Sequence, residues 1–312
     1  AGERMRVLAI ADLHYDEQTR GRVAALARAV CEASADVLVV AGDCAADGPE
    51  LVPEVLGLLS GFSGPRLLVP GNHDLWQDQQ PFETWRIYDE IIPEMAAAYG
   101  FHYLDHGAFL LGDTAFVGCM GWYDYAFRQA EAPLAEMTVT AVAVRPGEEQ
   151  PMVFRALPDA REGEWEELGP EHYAARGLVW QADGAPHVAV WNDALHVEWG
   201  CSDPEVARRL AARLREQVVS VAPGARRVVG VTHVVPFAEL AQYTLDNPTR
   251  AFARAYLGSP LLGEALLEAK NLELVIYGHR HRQEVREVRG VVTADAAVVA
   301  PDARPLLLTL PD

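Results

Sequence analysis

Apolar runs and amphipathic segments alternate over the first third of the chain. Three runs stay apolar almost to their last residues, a pattern typical of strands buried on both faces of a sheet. The segments between them, residues 19–30 and 51–59, repeat apolar side chains every three or four positions, as an amphipathic helix does. This order predicts a largely parallel sheet with helices packed against it. The three runs are MRVLAIAD (5–12), DVLVVAGD (36–43) and PRLLVPGNHD (65–74).

The same alternation returns in the last third of the chain. SDPE at 202–205 has the pattern of a capping box and predicts the start of a helix with one apolar stripe. RRVVGVTH (226–233) and LELVIYGH (272–279) predict two further buried strands, with a helix over 259–269 between them. Residues 285–293 alternate apolar and polar positions, which predicts an exposed hairpin.

Residues 121–200 break this regularity. The segment is acidic, carries scattered prolines and glycines, and holds five of the seven tryptophans. An insertion of this length is usually a lid over a site or a disordered decoration, and the tryptophans favour ordered structure. Trp191, Leu195 and Trp199 recur at every fourth position, a stripe more typical of a helix packed on a core than of a binding surface. We expect a single domain over 1–312, with 121–200 as an insertion or cap.

Composition and charge narrow the functional classes. The formal net charge is −19 and no run of Lys or Arg forms a basic groove, so we expect no nucleic-acid partner. No stretch approaches the ~20 apolar residues of a membrane span, and no N-terminal segment has the pattern of a signal peptide. The four cysteines are scattered without a Cys-x-x-Cys pair, which argues against a disulfide framework and a thiolate metal site. These features favour a cytoplasmic protein.

Five of the predicted strands end in polar side chains that can bind a metal ion. Five of the ten histidines lie at these ends. In open α/β sheets, ligands bind beyond the carboxyl ends of the strands, so converging strands would bring these side chains into one pocket. The side chains are Asp12 and His14, then Asp43, then Asn72 with His73 and Asp74, then Thr232 with His233, and finally His279 with His281.

Carboxylates, imidazoles and one amide form a set of hard to borderline donors that suits Mn, Fe, Zn or Ni. These groups are more than one tetrahedral ion needs, and they fit a pair of ions that share a bridging carboxylate. Any one of these residues could instead cap a strand or satisfy backbone groups of a loop. The five strand ends together favour a metal centre.

The ordered motifs resemble those of the calcineurin-like metallophosphoesterase superfamily. They are Asp-x-His (12–14), Gly-Asp (42–43), Gly-Asn-His-Asp (71–74), a lone His after a strand (233) and Gly-His-x-His (278–281). The resemblance implies a four-layer α/β sandwich of two mixed β-sheets flanked by helices. It also implies two divalent transition-metal ions, Mn or Fe first and Zn or Ni as alternatives. These ions would share a hydroxide that attacks the phosphorus of a small phosphomonoester or phosphodiester.

The resemblance also assigns roles to individual residues. One ion would be held by Asp12, His14, Asp43 and His281. The second would be held by Asp43, Asn72, His233 and His279, so that Asp43 bridges the two ions and takes part in catalysis. His73 would lie beside the ions without binding either, and would stabilise the transition state or protonate the leaving alkoxide.

Departures from the family pattern narrow the choice within it. Protein Ser/Thr phosphatases of this superfamily carry Gly-Asp-x-x-Asp-Arg-Gly, whereas this chain has GDCAADG at 42–48, with the second Asp displaced to Asp47 and the Arg absent. Protein-phosphatase activity is therefore kept only as an alternative. Asp47 and Asp74 are both candidates to orient His73. A catalytically silent scaffold is the other alternative, but such a scaffold should have lost ligands or His73.

Candidate substrate contacts lie near the strand ends. GWYDYAFR at 121–128 places Trp122 and Tyr123 where they could form a wall of the substrate site, with Arg128 reaching a phosphate. Packing between the insertion and the core is the favoured explanation of this cluster. Arg280, between the two ligand histidines, is a further candidate to clamp a phosphate.

Overall fold

The computed structural model describes residues 4–79, 81–128, 139–143, 155–156, 173–174, 176–182, 185–242 and 248–310. Its strands are β1 Arg6–Ile10, β2 Val37–Ala41, β3 Arg66–Val69, β4 His102–Tyr103, β5 Phe109–Leu111, β6 Thr114–Cys119, β7 Val139–Ala143, β8 Arg155–Ala156, β9 Arg176–Ala182, β10 Ala185–Val190, β11 Arg227–Thr232, β12 Leu272–Tyr277, β13 Glu284–Val288, β14 Val291–Asp295 and β15 Leu306–Thr309. Its α-helices are α1 Arg20–Glu32, α2 Val52–Leu59, α3 Thr84–Arg86, α4 Ile92–Ala98, α5 Asp193–His196, α6 Asp203–Val221, α7 Pro248–Ala253 and α8 Pro260–Leu266. A π-helical turn, Ile87–Ile91, joins α3 to α4.

Two mixed β-sheets form the centre of the molecule. The first has the strand order β15-β1-β2-β3-β4, in which β1 to β4 run parallel and β15 pairs antiparallel with β1. The second has the order β13-β14-β12-β11-β6-β5, with four parallel strands between two antiparallel edge strands. The five runs that predict buried strands become β1, β2, β3, β11 and β12, all within the parallel parts.

Successive side chains of the strands pack on opposite faces of each sheet. In β1, Val7 and Ala9 belong to one hydrophobic cluster, whereas Leu8 and Ile10 belong to another. The cluster that contains Val7 also contains residues of β11 and β12, such as Val229, so it is the layer between the two sheets. The other cluster joins the outer faces to the helices. The predicted sandwich of two mixed sheets flanked by helices is confirmed, and burial on both faces explains the uninterrupted apolar runs.

Helix α6 begins where the sequence predicts, but without the predicted capping box. The side chain of Ser202, the N-cap residue, makes no capping hydrogen bond. The carboxylate of Glu205 instead accepts a hydrogen bond from Arg209 one turn later. The apolar stripe packs inward, and its buried residues are Val206, Leu210, Leu214 and Val218. No helix in the described ranges is long and apolar enough to cross a lipid bilayer.

The predicted hairpin over 285–293 is formed by β13 and β14. Arg289 (φ 54°) and Gly290 (φ 79°) occupy its turn, and both have the left-handed backbone that a two-residue type I′ turn requires. The backbone of the turn and the alternating pattern of the two strands therefore both fit the predicted hairpin.

The described part of 121–200 contributes a third sheet, with the antiparallel strand order β10-β9-β7-β8. Tyr173 and Trp199 are buried in the cluster that joins the helices to the main sheets. The helical stripe predicted from Trp191 to Trp199 is wrong in extent, because α5 covers only the four residues Asp193–His196. The described part of the segment is thus ordered structure packed on the core, and its role as a cap stays a prediction.

Candidate metal centre and active site

The carboxyl ends of five parallel strands meet on one side of the molecule. The ends of β1, β2 and β3 come from the first sheet, and those of β11 and β12 come from the second. Backbone hydrogen bonds join the loops that follow them: Asp12 N donates to Gly42 O at 3.0 Å, and Gly278 N donates to His233 O at 3.0 Å. Each of these bonds joins two loops of the same sheet. The two sheets are joined at the site by His279 N, which donates to Asp12 Oδ1 at 3.0 Å, and by His233 Nδ1, which donates to Ala41 O at 2.8 Å. All seven predicted donor side chains lie there.

The first cluster of donors contains Asp12, His14, Asp43 and His281, whose ligand atoms all lie within 4.8 Å of one another. The Nε2 atoms of His14 and His281 face each other at 2.9 Å. His14 Nε2 lies 3.6 Å from Asp43 Oδ2, and His281 Nε2 lies 3.8 Å from Asp12 Oδ1. These four residues are the ones that the family resemblance assigns to one ion.

The second cluster contains Asp43, His233 and His279, again with ligand atoms within 4.8 Å of one another. Asn72 joins it through Oδ1, which lies 3.1 Å from His233 Nε2. His279 Nε2 faces the carbonyl of Tyr256 at 3.1 Å, which leaves Nδ1 as its ligand atom. Asp43 is common to both clusters, so its carboxylate lies where the resemblance requires a bridge.

Hydrogen bonding in the second cluster is unbalanced unless a cation is present. The Nδ1 atom of His233 donates to the carbonyl of Ala41 at 2.8 Å, so the neutral ring carries its lone pair on Nε2. That lone pair faces Asn72 Oδ1 at 3.1 Å and Asp43 Oδ2 at 3.3 Å. Asp43 Oδ2 has no hydrogen-bond donor among the described residues. When His233 is neutral, three electron-rich atoms therefore face one another. Either a proton on His233 or a bound cation balances this arrangement, so the donor set fits a metal ion.

Burial and the charge of Asp43 set the protonation of the imidazoles. Burial lowers the pKa of His14 and of His279 to about 3, so both rings are neutral near pH 7 and can offer a lone pair. Burial also disfavours the charged form of His233, but the Asp43 carboxylate outweighs it and raises the pKa of His233 to about 10. The same pairing holds the pKa of Asp43 well below its usual range against the effect of burial. A metal ion bound here would take the place of the proton on His233.

The backbone at these residues is strained. A left-handed backbone costs a non-glycine residue about 1 kcal/mol or more, and Asp, Asn and His tolerate it better than most. Five of the eight described non-glycine residues with positive φ belong to the two donor clusters. They are Asp12 (φ 56°), His14 (44°), Asp43 (51°), His279 (69°) and His281 (56°). Strain concentrated at one place indicates a functional constraint on these loops.

Two glycines allow the loops to approach closely. A Cβ atom at Gly42 (φ 89°) would lie 2.4 Å from His233 Nδ1, and one at Gly71 would lie 2.0 Å from Asp43 Oδ1. Neither position has room for a larger residue. The glycines of the Gly-Asp and Gly-Asn-His-Asp motifs are therefore required by the packing of the donors themselves.

His73 lies beside the first cluster, with its ring centroid 4.6 Å from that of His14. Its backbone N–H donates to Asp43 Oδ1 at 2.9 Å. Its Nδ1 faces the carbonyl of Ala46 at 2.6 Å, so Nδ1 carries a proton and Nε2 is the nitrogen left for a ligand. The indole of Trp76 stacks on the ring at 3.7 Å and fixes its plane.

Neither carboxylate that the sequence offers to orient His73 does so in the structure. Asp74 is buried, and its two oxygens accept hydrogen bonds from Ala45 N and Gly71 N, each at 2.8 Å. Asp47 is exposed and makes no described contact with the His73 ring. The displacement of the second Asp by one position explains this, because a backbone carbonyl then takes over the role of a side-chain acceptor. Burial also raises the pKa of Asp74 to about 6.

The aromatic residues proposed as a substrate wall are buried. Trp122 is fully buried, and its indole N–H donates to Asp203 Oδ1 at 2.8 Å. Tyr123 is also fully buried, and its hydroxyl donates to Asp193 Oδ2 at 3.3 Å. Both side chains pack between the inserted segment and the core. This packing is the explanation that the sequence analysis favours over substrate contact.

The two arginines proposed as phosphate contacts also point elsewhere. The guanidinium of Arg280 is buried and donates to the carbonyl of Leu240 at 2.6 Å and to Glu284 Oε2 at 3.1 Å. Arg128 donates to the carbonyl of Tyr125 at 3.2 Å. Neither lines the cavity at the donor clusters, so a role in clamping phosphate does not fit these contacts.

A cavity of about 250 Å³ opens beside the two clusters. Three of its aromatic lining residues belong to none of the five motifs and are not predicted from the sequence as site residues. They are Trp76, Trp191 and Phe252. Trp76 follows the Gly-Asn-His-Asp motif by two positions, a spacing that could have drawn attention to it. The lining residues are Asp43, Asn72, His73, Trp76, Ala189, Val190, Trp191, Asn192, Asp193, Phe252, Ala253, His279 and His281.

A family model matches the part of the chain that supplies the first three motifs. The model describes the calcineurin-like phosphoesterases. Residues 5–135 match this family. The match confirms the resemblance predicted from the motifs and supports metal-dependent hydrolysis of a phosphoester. His233, His279 and His281 lie beyond the matched segment and join the site through the fold.

Solved structures of this fold include known enzymes. A phosphopantetheinyl hydrolase from Mycobacterium tuberculosis superposes with a TM-score of 0.67 at 18% identity, covering 100% of this chain and 98% of that one. A dimetal phosphatase from Danio rerio superposes with a TM-score of 0.50 at 12% identity, covering 96% and 90%. These likenesses show a shared fold. No curated protein sequence matches the chain significantly.

Proposed function

We propose that this chain is a binuclear metal-dependent phosphoester hydrolase that acts on a small phosphoester. The observation that carries the proposal is the gathering of seven donor side chains from five strand ends into two clusters that share Asp43. The same donor set favours Mn or Fe, with Zn or Ni as alternatives. The two ions, when bound, would supply Lewis acidity and a water of lowered pKa.

The residues of the chain would divide the remaining work. Asp43 would belong to both metal sites, and it also accepts the backbone N–H of His73, so one carboxylate connects the bridge to the loop that carries His73. His73 has its Nδ1 occupied by Ala46, which leaves Nε2 to donate a proton to the leaving alkoxide when the ring is charged. Trp76 shields one face of the ring from water and restricts its rotation.

The cavity points to the kind of alcohol that the phosphoester carries. Besides the donors, it is lined by an apolar wall, which consists of Ala189, Val190, Trp191, Phe252 and Ala253. Such a surface fits an uncharged, partly apolar group. The Mycobacterium tuberculosis neighbour is by name a phosphopantetheinyl hydrolase, and phosphopantetheinyl esters belong to this class of substrate.

Elemental analysis of the purified protein, joined to ester hydrolysis, tests the proposed function. We expect about two equivalents of transition metal per chain. We also expect cleavage of p-nitrophenyl phosphate or bis-p-nitrophenyl phosphate that is lost on chelation and restored by Mn²⁺. Less than one equivalent of metal, with neither ester cleaved, would contradict the proposal and favour a catalytically silent scaffold.

The apolar wall gives a second prediction. In a series of alkyl p-nitrophenyl phosphates, kcat/KM should rise by up to about fourfold per methylene until the cavity is full, because each buried methylene contributes about 0.8 kcal/mol. Val190→Thr, which keeps the shape but adds a hydroxyl, should flatten this increase while leaving the methyl ester nearly unaffected. The same slope in both proteins would place the alkyl group outside this wall.

A further inference from the structure

Asp193 is a buried carboxylate at the start of α5, within the inserted segment. Its side chain is 1% exposed and accepts four hydrogen bonds, all from side chains. Oδ1 accepts from Asn72 Nδ2 at 2.9 Å and from Trp76 Nε1 at 2.7 Å. Oδ2 accepts from Trp191 Nε1 at 2.8 Å and from the Tyr123 hydroxyl at 3.3 Å.

The contact with Asn72 decides which end of the amide faces the donor clusters. An ionised carboxylate can only accept hydrogen bonds, so it must face the NH₂ group of Asn72. The carbonyl oxygen of Asn72 is thereby turned toward His233 and the second cluster. Without an acceptor at position 193, the amide could rotate and present its NH₂ group, which cannot bind a metal ion.

The same carboxylate oxygen also fixes the catalytic loop. Asp193 Oδ1 holds the indole of Trp76, and that indole stacks on the ring of His73 at 3.7 Å. Asp193 Oδ1 therefore contacts both the Asn72 amide of the second cluster and the Trp76 indole that stacks on His73. The Asp-x-His, Gly-Asp and Gly-Asn-His-Asp motifs contain no counterpart of this contact.

We propose that Asp193, supplied by the inserted segment, is a positioning residue that fixes Asn72 as an oxygen donor to the second metal ion. This inference rests on the proposed function. It assigns the insertion a part in building the metal centre, in addition to any covering of the cavity. Residues that orient metal ligands from behind typically contribute about 10–100-fold in metal affinity.

Titration of the metal-free protein with Mn²⁺, followed by electron paramagnetic resonance of the free ion, tests the inference. Asp193→Ala, which removes the acceptor oxygens, should weaken binding of one equivalent by about 10–100-fold and leave the other nearly unchanged. Asn72→Ala should weaken the same equivalent, and the double variant should show no further loss, because both changes remove one oriented donor. A general loss of structure would weaken both equivalents together.

Tyr123→Phe is the matched control, since it removes one donor to Asp193 Oδ2 but leaves the bond to Asn72 in place. It should bind both equivalents as the unmodified protein does. Asp193→Glu, which moves the carboxylate by one methylene and is judged by the same criterion, serves if Asp193→Ala does not fold. Unchanged second-site affinity in a folded Asp193 variant, or additive losses in the double variant, would overturn the inference while the function stands. Fewer than two equivalents in the unmodified protein would overturn both.

Discussion

His73→Ala is expected to bind both metal ions and to lower kcat by about 10²–10⁴-fold, the usual contribution of a positioned acid or base. The ring lies beside His14 and lines the cavity, but it belongs to neither donor cluster. Its removal should therefore affect the chemical step more than metal binding. The measurement is kcat on an alkyl phosphoester, whose leaving alkoxide needs a proton, with metal content determined on the same preparation.

A control for this variant lies on the other face of the same aromatic stack. His196 stacks on Trp76 at 4.6 Å with an interplanar angle of 16°, but it does not line the cavity. His196→Ala also deletes an imidazole from the stack and should keep activity within a few-fold. If His73→Ala were equally active, or lost metal in proportion to activity, the role assigned to His73 would be wrong. An ester with a better leaving group should be less affected, because it needs less protonation.

The framework of the site could be predicted from the sequence because it obeys local rules. Strands buried on both faces leave a continuous apolar signature, and parallel strands in α/β sheets present their carboxyl ends to ligands. Polar residues such as Asp43 and His281 stand out against that background. The family resemblance selects seven ligands among these residues, and the structure brings all seven together.

Side-chain direction could not be predicted in the same way. Arg280 lies between two donors in the sequence, yet its guanidinium turns to Leu240 and Glu284. The loop after β12 has a left-handed backbone at His279 and His281, which strand periodicity does not predict. Asp193 is 121 residues from Asn72 in the chain, and its neighbours predict only a core stripe. Long-range polar contacts of this kind have no periodicity that a sequence pattern could reveal.

Asp43→Asn is expected to remove at least one of the two metal ions and to lower activity by about 10³-fold or more. Asp43 and Asp12 are the two carboxylates among the seven donors, and they face two dications. At an effective dielectric constant of about 20, one unit charge about 4 Å from another contributes about 4 kcal/mol, or roughly 10³ in affinity. The amide keeps an acceptor for the backbone N–H of His73, so the loop should retain its hydrogen bond.

Asp74→Asn is the matched comparison for this change. Asp74 is also a buried aspartate and lies in the adjoining loop. Its carboxylate accepts hydrogen bonds from two backbone N–H groups, but it belongs to neither donor cluster. The Asp74→Asn variant should be less stable than the unmodified protein in thermal unfolding of the metal-free form. Elemental analysis of the same variant should still find both ions. Asp43→Asn should also lower metal-free stability, because it removes the partner of the His233 imidazolium, but unlike Asp74→Asn it should lose metal as well. Two tightly bound ions in Asp43→Asn would mean that the clusters do not share this carboxylate, since a neutral amide cannot balance two adjacent dications.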